Sequence, residues 1–547
     1  MRFKPVDQSL RYVGISLIIF AMLAFALYVW AYGFYAYRLF LFPFDYDQGE
    51  GYELLDTVLF SQGQWPYRNS DVYPFYSSNY PPVYHLVTVP LVWIFGPQYW
   101  TGRLVSFIST LISAYLIGYG VARFRAWKSG RGWIYVLSGA IFLSSNYVYH
   151  IGPLFRQHIF MVMFEIGAIV LFANTIALEE ETGKQRPWRL LAVMLLLLLA
   201  GFTKQLAYAS VASIFIFWFL RDIRRSIIWA IPFALSTGAV FLFINLATDN
   251  QWFINTISAN LNEFIFGQMV GLFTQWFKLH RMITLAAVGV TLYQLYFERL
   301  SLYAVWFTIA TANSVTAGTW GAGESYFTTA IAASCILTGI GFMQILDWSK
   351  ETDMHQAWPI SAQTISLISI GALLLWQANT VFHLPTHTPF LQSIASLAGR
   401  PTETMVAPQT SCSEPRPPEP IPFVDDAFTL VGRPPTDADR DAGIAITTHI
   451  LEGETPAFSE EAGFNFYAGR EIVTNPTQLR NLSLAGLLDT SEMVSMLEDQ
   501  AFDTVVFRAQ FYPGEVLTVI GQQYETVDLI QMNGFVYCVL KPKVKES

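Results

Sequence analysis

The chain has 547 residues, of which 53% are hydrophobic and 16% aromatic, whereas only 13% are charged. Soluble globular domains carry about 25% charged residues, so this composition excludes an ordinary soluble protein and predicts a polytopic α-helical membrane protein. A net charge of -9 and dispersed basic residues exclude a nucleic-acid partner. Three cysteines are too few for a disulfide framework, although a single bridge between Cys412 and Cys538 stays open.

The first apolar run, residues 12–36, follows a basic N-terminus and is longer than a signal-peptide core. We therefore predict a retained transmembrane helix whose basic flank lies in the cytoplasm. The polar stretch after it then lies outside. Within that stretch, the apolar run 83–95 is too short to span a bilayer and is expected to lie along the outer surface.

Later apolar runs alternate with basic loops, which gives about 11 spans, a cytoplasmic N-terminus and an outer C-terminus in the plasma membrane. The run 190–220 is interrupted at Lys204. Two crossings keep its basic ends inside, but each arm of about 15 residues reaches only about 22 Å of a core about 30 Å thick. Lys204 is therefore expected below the outer surface of the membrane.

Three regions are predicted from these changes in composition. Residues 1–383 form a transmembrane domain, in which residues 37–98 are a first outer loop with juxtamembrane helices. Residues 384–437 form a proline-rich linker that cannot bury a core. Residues 438–547 form an outer soluble α/β domain, because strand-like DTVVFR and FVYCVL alternate with helix-like segments.

Five short motifs follow one another along the chain, in the outer loops and where the apolar runs begin or are interrupted. They are DQGEG at 47–51, NYPPVYH at 79–85, GRLVS at 102–106, FTKQ at 202–205 and GAGESYF at 321–327. In order and sidedness they resemble the GT-C superfamily of membrane glycosyltransferases, in particular the branch of protein O-mannosyltransferases and bacterial aminoarabinose transferases. The resemblance covers residues 1–346.

This resemblance implies an inverting glycosyltransferase that takes a hexosyl or pentosyl group from a polyprenyl-phosphate donor to an acceptor hydroxyl on the outer face. The acceptor would be a lipid, a glycan or a protein. In such enzymes an acid of the first outer loop acts on the acceptor, and a carboxylate within hydrogen-bond reach can take its proton. Asp47 is the expected base. Glu50, on the same helical face at i+3, would orient the acceptor, bind a metal or share the proton, and Asp45 is the reserve.

A cofactor is not required by the resemblance, although Asp47 and Glu50 would suit Mg²⁺ or Mn²⁺ if a metal were bound. Cations are expected near the departing lipid phosphate. A lysine at membrane depth costs about 2.5 to 3.5 kcal/mol and needs a partner, which favours Lys204. The predicted phosphate-binding residues are Lys204, Arg103, Arg156 and His158, and the predicted cavity residues are Tyr80, His85, Glu324 and Tyr326.

Each of these residues also has a structural interpretation. The acids could be solvated loop residues, Lys204 could extend to the lipid headgroups, and aromatic residues often anchor a helix at the interface. A non-enzymatic alternative is a lipid or solute transporter or a receptor scaffold. A transporter would carry ionisable residues at the midplane of several spans, and Glu165 is the residue that supports it.

Overall fold

The computed structural model describes residues 4–124, 131–351, 360–381, 393 and 434–544, and their structure is predominantly helical. The helices before residue 381 are α1 Lys4–Phe40, α2 Glu50–Ser61, α3 Val83–Phe95, α4 Tyr99–Phe124, α5 Gly132–Leu143, α6 Asn146–Ile151, α7 His158–Thr182, α8 Pro187–Gly201, α9 Tyr208–Phe219, α10 Ile223–Ala247, α11 Gln251–Thr256, α12 Phe266–Phe297, α13 Leu302–Asn313, α14 Thr328–Glu351 and α15 Ala362–Thr380. The loop between α1 and α4 is called the first loop (residues 41–98).

Five helical stretches in the described residues are long and apolar enough to cross a membrane. They are Pro5–Phe40, Tyr99–Phe124, His158–Thr182, Ile223–Ala247 and Glu324–Glu351. Shorter apolar helices stand between them, including α3, α5 and α8. The chain is thus a multi-pass membrane protein, while the total of about 11 spans and the sidedness stay predictions.

Helix α14 lies at the centre of the helical bundle. It packs against α4, α5, α7, α12, α13 and α15, and nearly all residues of its most apolar stretch are buried. At the edge, α1 and α15 approach closely through two glycines. A Cβ on Gly14 would lie 2.9 Å from the Ile368 nitrogen, and one on Gly371 would lie 2.7 Å from the Leu17 Cβ. Small residues permit such close helix packing inside a bilayer.

Two predicted apolar runs are broken in the structure. The run that contains Lys204 separates into α8 and α9, with Lys204 in extended backbone between them. The run from residue 133 to 154 separates into α5 and the short α6. By contrast, α3 has the bounds of the predicted surface run, because Pro82 precedes it and Gly96, with φ of 77°, ends it.

Residues 434–544, called the C-terminal segment, combine helices with one mixed sheet. Its elements are α16 Asp437–Leu451, β1 Phe458–Ser459, α17 Ala462–Ala468, α18 Pro476–Leu484, α19 Ser491–Glu498, β2 Val505–Phe507, α20 Gly514–Gln523, β3 Tyr524–Met532 and β4 Phe535–Pro542. The strand order is β1-β2-β4-β3, with β1 parallel to β2 and the other pairs antiparallel. The boundary of this region as a separate domain stays a prediction, and residues 384–392 and 394–433 of the predicted linker lie outside the described residues.

The C-terminal segment packs directly on the first loop. Phe75 belongs to its apolar core and bridges to Thr474. Asn475 donates to the Ser77 carbonyl at 3.1 Å. Of the cysteines, Cys335 is free and Cys538 is disulfide-bonded, while Cys412 lies outside the described residues. The first loop is therefore held between the helical bundle and the C-terminal segment.

Candidate active site

Asp45 is fully buried beneath the C-terminal segment and accepts three hydrogen bonds. The donors are Gly51 N–H at 2.6 Å, Tyr99 O–H at 2.8 Å and Gly463 N–H at 2.8 Å. Gly463 lies in the first turn of α17, so this carboxylate joins the first loop to the C-terminal segment. Its position is that of a structural anchor, because its oxygens are already occupied by neutral donors.

Glu50 and Arg103 form a fully buried ion pair at 2.7 Å. Arg103 uses all five of its N–H groups: two on Glu50 and three on the carbonyls of Leu39, Phe42 and Phe44. Glu50 also accepts from the backbone N–H groups of residues 46, 47 and 155. The structure therefore corrects two predicted roles: Arg103 has no donor left for a phosphate, and Glu50 has no contact with solvent through which to reach an acceptor.

Asp47 differs from its two neighbours because about a third of its side chain is exposed. Its carboxylate pairs with Arg156, whose Nε donates at 2.6 Å. Burial alone would raise the pKa of Asp47, but the positive charges around it, with the Arg156 guanidinium foremost, outweigh that effect and hold the pKa below its usual value. Of Asp45, Asp47 and Glu50, Asp47 is therefore the accessible one, and it is ionised.

Arg156 reaches this position because the first loop turns at Gly49. Gly49 has φ of 105°, and a Cβ there would lie 2.9 Å from the Arg156 guanidinium. The guanidinium also bonds the Gln48 carbonyl and lies 3.4 Å from Glu53. The Arg156 side chain thus connects Asp47 to a second acid, Glu53.

Lys204 lies beside the same group. Its ammonium stands 5.3 Å from the ring centres of both Tyr80 and Tyr326, and it is close enough to Asp47 to interact with its charge. Within the described part of the chain, no carboxylate forms a direct ion pair with it. The sequence prediction that Lys204 and the first-loop acids converge thus corresponds to a spatial cluster, although they are more than 150 residues apart.

Three further predicted residues occupy different positions around this cluster. His158 is buried against Tyr326, with ring centres 6.1 Å apart. Glu324 begins the same short turn as Tyr326, but it interacts electrostatically with Tyr147. His85 is fully buried beside α2 and does not face solvent, which makes it unsuitable as a lining residue for substrate.

Sequence reasoning missed Glu53, Asp56 and Arg508. Burial raises the pKa of Glu53 to about 8 and that of Asp56 to about 7. A signal for the two acids was present, since positions 50, 53 and 56 recur every third residue along one face of α2. Arg508 comes from the C-terminal segment, where it pairs with Glu461 at 2.7 Å and lies close enough to lower the pKa of Asp47, and no local pattern pointed to it.

The predicted metal ligands do not suit a metal. Glu50 already receives five hydrogen bonds, two of them from a guanidinium, so its oxygens cannot also bind a cation next to Asp47. A different group in the described residues has the spacing of a metal site: Glu53, Asp56 and His85 offer one ligand atom each, all within 4.8 Å of one another.

Comparison with known proteins identifies the fold. No family profile matches the sequence, and no curated protein is detectably similar to it. Among solved structures, ArnT from Cupriavidus metallidurans bound to undecaprenyl phosphate aligns over 96% of this chain and 97% of its own, with 12% identity and a TM-score of 0.53. The chain has the fold of ArnT. The apo form of ArnT matches over the same shares, with 12% identity and a TM-score of 0.51.

A second solved protein is similar at a lower level. The Archaeoglobus fulgidus oligosaccharyltransferase, tethered to an acceptor peptide, covers 96% of this chain and 74% of its own, with 12% identity and a TM-score of 0.47. ArnT belongs to the GT-C superfamily. The likeness to ArnT extends through the C-terminal segment, since nearly the whole of both chains aligns. The predicted GT-C-like fold is thus confirmed.

Proposed function

We propose that the chain is an inverting glycosyltransferase that moves a sugar from a polyprenyl-phosphate donor to an acceptor hydroxyl on the outer face of the plasma membrane. One observation carries the proposal: Asp47, an ionised and accessible carboxylate, stands beside two cations, Arg156 and Lys204. The ArnT fold supports it, and one structure with that fold contains undecaprenyl phosphate. The donor lipid would therefore be of this class.

The chemistry follows from the charges. The donor phosphate would lie between Lys204 and Arg156, which stabilise the negative charge that grows on the leaving oxygen. The acceptor oxygen attacks the anomeric carbon from the side opposite the phosphate, so the carbon–oxygen bond to the phosphate breaks and the configuration inverts. Asp47 takes the proton of the acceptor hydroxyl as the new bond forms. The products are the glycosylated acceptor and the polyprenyl phosphate.

The remaining predicted residues take supporting positions in this proposal. Tyr80 and Tyr326 stabilise the Lys204 ammonium through cation–π contacts, with each ring centre 5.3 Å away. Asp45 and Glu50 fix the loop on either side of Asp47. The acceptor is a lipid, a glycan or a protein, and the C-terminal segment, on the outer side in this orientation, would contact it or cover the site.

The transporter alternative loses its main support. Glu165, the acid inside α7, is fully buried and accepts hydrogen bonds from Ser210 and Thr329 at 2.7 Å each. Polar contacts of this kind hold helices together within a bilayer. Glu165 is thus accounted for as a helix-packing residue, and a permeation path is not needed to explain it.

The direct test is transfer by purified protein from radiolabelled polyprenyl-phosphate sugars to a panel of acceptors. Asp47→Asn should lower the rate by about 10² to 10⁴-fold, the usual contribution of a general base. Its matched control is Asp441→Asn, an exposed acid of the C-terminal segment. Transfer retained by Asp47→Asn would refute the proposed base.

Donor binding is measured separately. Lys204→Ala should weaken binding of polyprenyl phosphate by about tenfold or more, because a hydrogen bond to a charged group contributes about 1.5 to 3 kcal/mol. Lys184→Ala, at an exposed loop between α7 and α8, is the matched control. Unchanged binding by Lys204→Ala would remove it from the phosphate site.

A further inference from the structure

A second cluster of ionisable side chains lies behind the proposed site, between α2 and α3. Its members are Glu53, Asp56 and His85, and all three are at least 98% buried. The Nε2 atom of His85 stands 3.4 Å from Glu53 Oε2 and 3.6 Å from Asp56 Oδ2. Even so, this nitrogen has no hydrogen-bond partner among the described residues.

The proton on the His85 ring can be placed from its other nitrogen. Thr57 Oγ1 donates its only proton to the Glu53 carbonyl at 2.8 Å. Towards His85 Nδ1, at 3.3 Å, the same hydroxyl can therefore only accept. Nδ1 then carries the ring proton, and Nε2 directs a lone pair at two carboxylate oxygens.

A lone pair facing two buried carboxylates is unfavourable unless a proton or a metal cation lies between them, and a cation can engage all three ligand atoms at once. We propose that Glu53, Asp56 and His85 form a binding site for a divalent transition-metal ion, with Zn²⁺ the best match. Two ligand atoms bound to a tetrahedral zinc at about 2.1 Å are about 3.4 Å apart, which agrees with the spacing at His85. One imidazole and two carboxylates are also typical zinc ligands, and together they neutralise its charge.

The surroundings have the second layer of contacts that metal ligands require. Tyr76 O–H and Ser78 O–H each donate to Asp56 at 2.5 Å. Thr57 orients the His85 ring, as a hydrogen bond to the non-ligating nitrogen does in metal sites. Because of these contacts, the ligand side chains are already oriented before a metal binds.

Such a metal would have a structural role. Glu53 reaches the Arg156 guanidinium through its other oxygen at 3.4 Å, and Arg156 in turn holds Asp47. A metal at this site would fix α2 against α3 and set the place of that arginine. It would not contact the reacting atoms, so the site is distinct from the predicted Asp47 and Glu50 ligand pair.

The test measures metal and needs no glycosyl donor, so its outcome is independent of the proposed function. Purified protein dialysed against metal-free buffer is expected to retain a single equivalent of zinc by mass spectrometry. Chelation should lower its melting temperature, and added ZnCl₂ should restore it. Wild-type protein that neither retains zinc nor gains stability from ZnCl₂, MnCl₂ or MgCl₂ would overturn the proposal.

The variants assign the ligands. His85→Gln should lose the zinc and the response to the chelator, while His449→Gln, which alters a partly exposed histidine of the C-terminal segment, should keep both. Asp56→Asn removes a second ligand while keeping the shape of the site, so it should lose the zinc as well. It serves as the test if His85→Gln does not fold. Substitution with Co²⁺ should give the visible absorption of a tetrahedral site in wild type only, and an equal spectrum in His85→Gln would exclude this site.

Discussion

The buried pair of Arg103 and Glu50 gives the sharpest test of the structure, because the sequence assigned Arg103 a different role. If it bound the donor phosphate, its replacement would weaken donor binding and leave the fold intact. In the structure, Arg103 instead holds the end of α1 and the first loop in place. Arg103→Met is therefore expected to destabilise the protein.

The expected size follows from the contacts that are lost. Arg103→Met removes the donor of the Phe42 and Phe44 carbonyls, removes one of the two donors of the Leu39 carbonyl, and leaves Glu50 as a buried charge with backbone donors only. Removing one partner of a buried ion pair costs about 3 to 5 kcal/mol. The double variant Arg103→Met/Glu50→Gln no longer carries the buried charge. Its loss of stability should therefore be smaller than the sum of the stability losses of the two single variants.

The assay is thermal unfolding of the protein in detergent, read by intrinsic fluorescence, together with a binding measurement for polyprenyl phosphate. Arg123→Met is the matched control, because Arg123 lies exposed at the other end of the same helix. We expect a fall in Tm of several degrees for Arg103→Met and none for the control. An unchanged Tm combined with weaker donor binding would refute the structural role and restore the predicted one.

Three further predictions concern the anchors around the site. Gly463→Ala places a methyl group 2.5 Å from a carboxylate oxygen of the buried Asp45, so the Tm of this variant should fall. The control Gly514→Ala, whose Cβ meets no atom within 4 Å, should leave Tm unchanged. Equal Tm values for the two variants would argue against the docking of the C-terminal segment on the first loop. Burial raises the pKa of Glu461 from 4.5 to about 8, so the folded state keeps a proton that the unfolded state has lost, and stability should decline as pH rises between these values. Glu461→Gln should flatten this decline in a series of melting curves, and an unaltered slope would contradict it. Glu165→Gln should keep transfer within about tenfold, or about 1.4 kcal/mol, of wild type; a larger loss with an intact Tm would contradict the helix-packing role of Glu165.

Local features of the sequence were predictable because local chemistry determines them. The proline before α3 and the glycine after it define that helix in sequence and structure alike. The break at Lys204 was visible as a charge within an apolar run. Hydropathy also identified the long helices. In each case the deciding residues are neighbours along the chain, so no knowledge of the tertiary fold was needed.

The roles of the three acids predicted for the site could not be separated in this way. Asp45, Asp47 and Glu50 lie within six residues and have the same chemistry. What distinguishes them is the partner that each one meets: Gly463 from the C-terminal segment, Arg156 before α7 and Arg103 in α4. These partners are about 50 to more than 400 residues away, so the assignment needed the tertiary structure.

The ion pair between Asp47 and Arg156 must be reconciled with the proposed base. A carboxylate whose pKa is held down by a guanidinium is a weak proton acceptor. Under the proposed function, a donor phosphate would compete for the same guanidinium, because an arginine can bind phosphate and carboxylate through the same N–H groups. As Arg156 turns to the phosphate, Asp47 loses its partner and becomes a stronger base. The acid would thus become reactive only when the donor is bound, which explains why a base would be kept in an ion pair in the free protein.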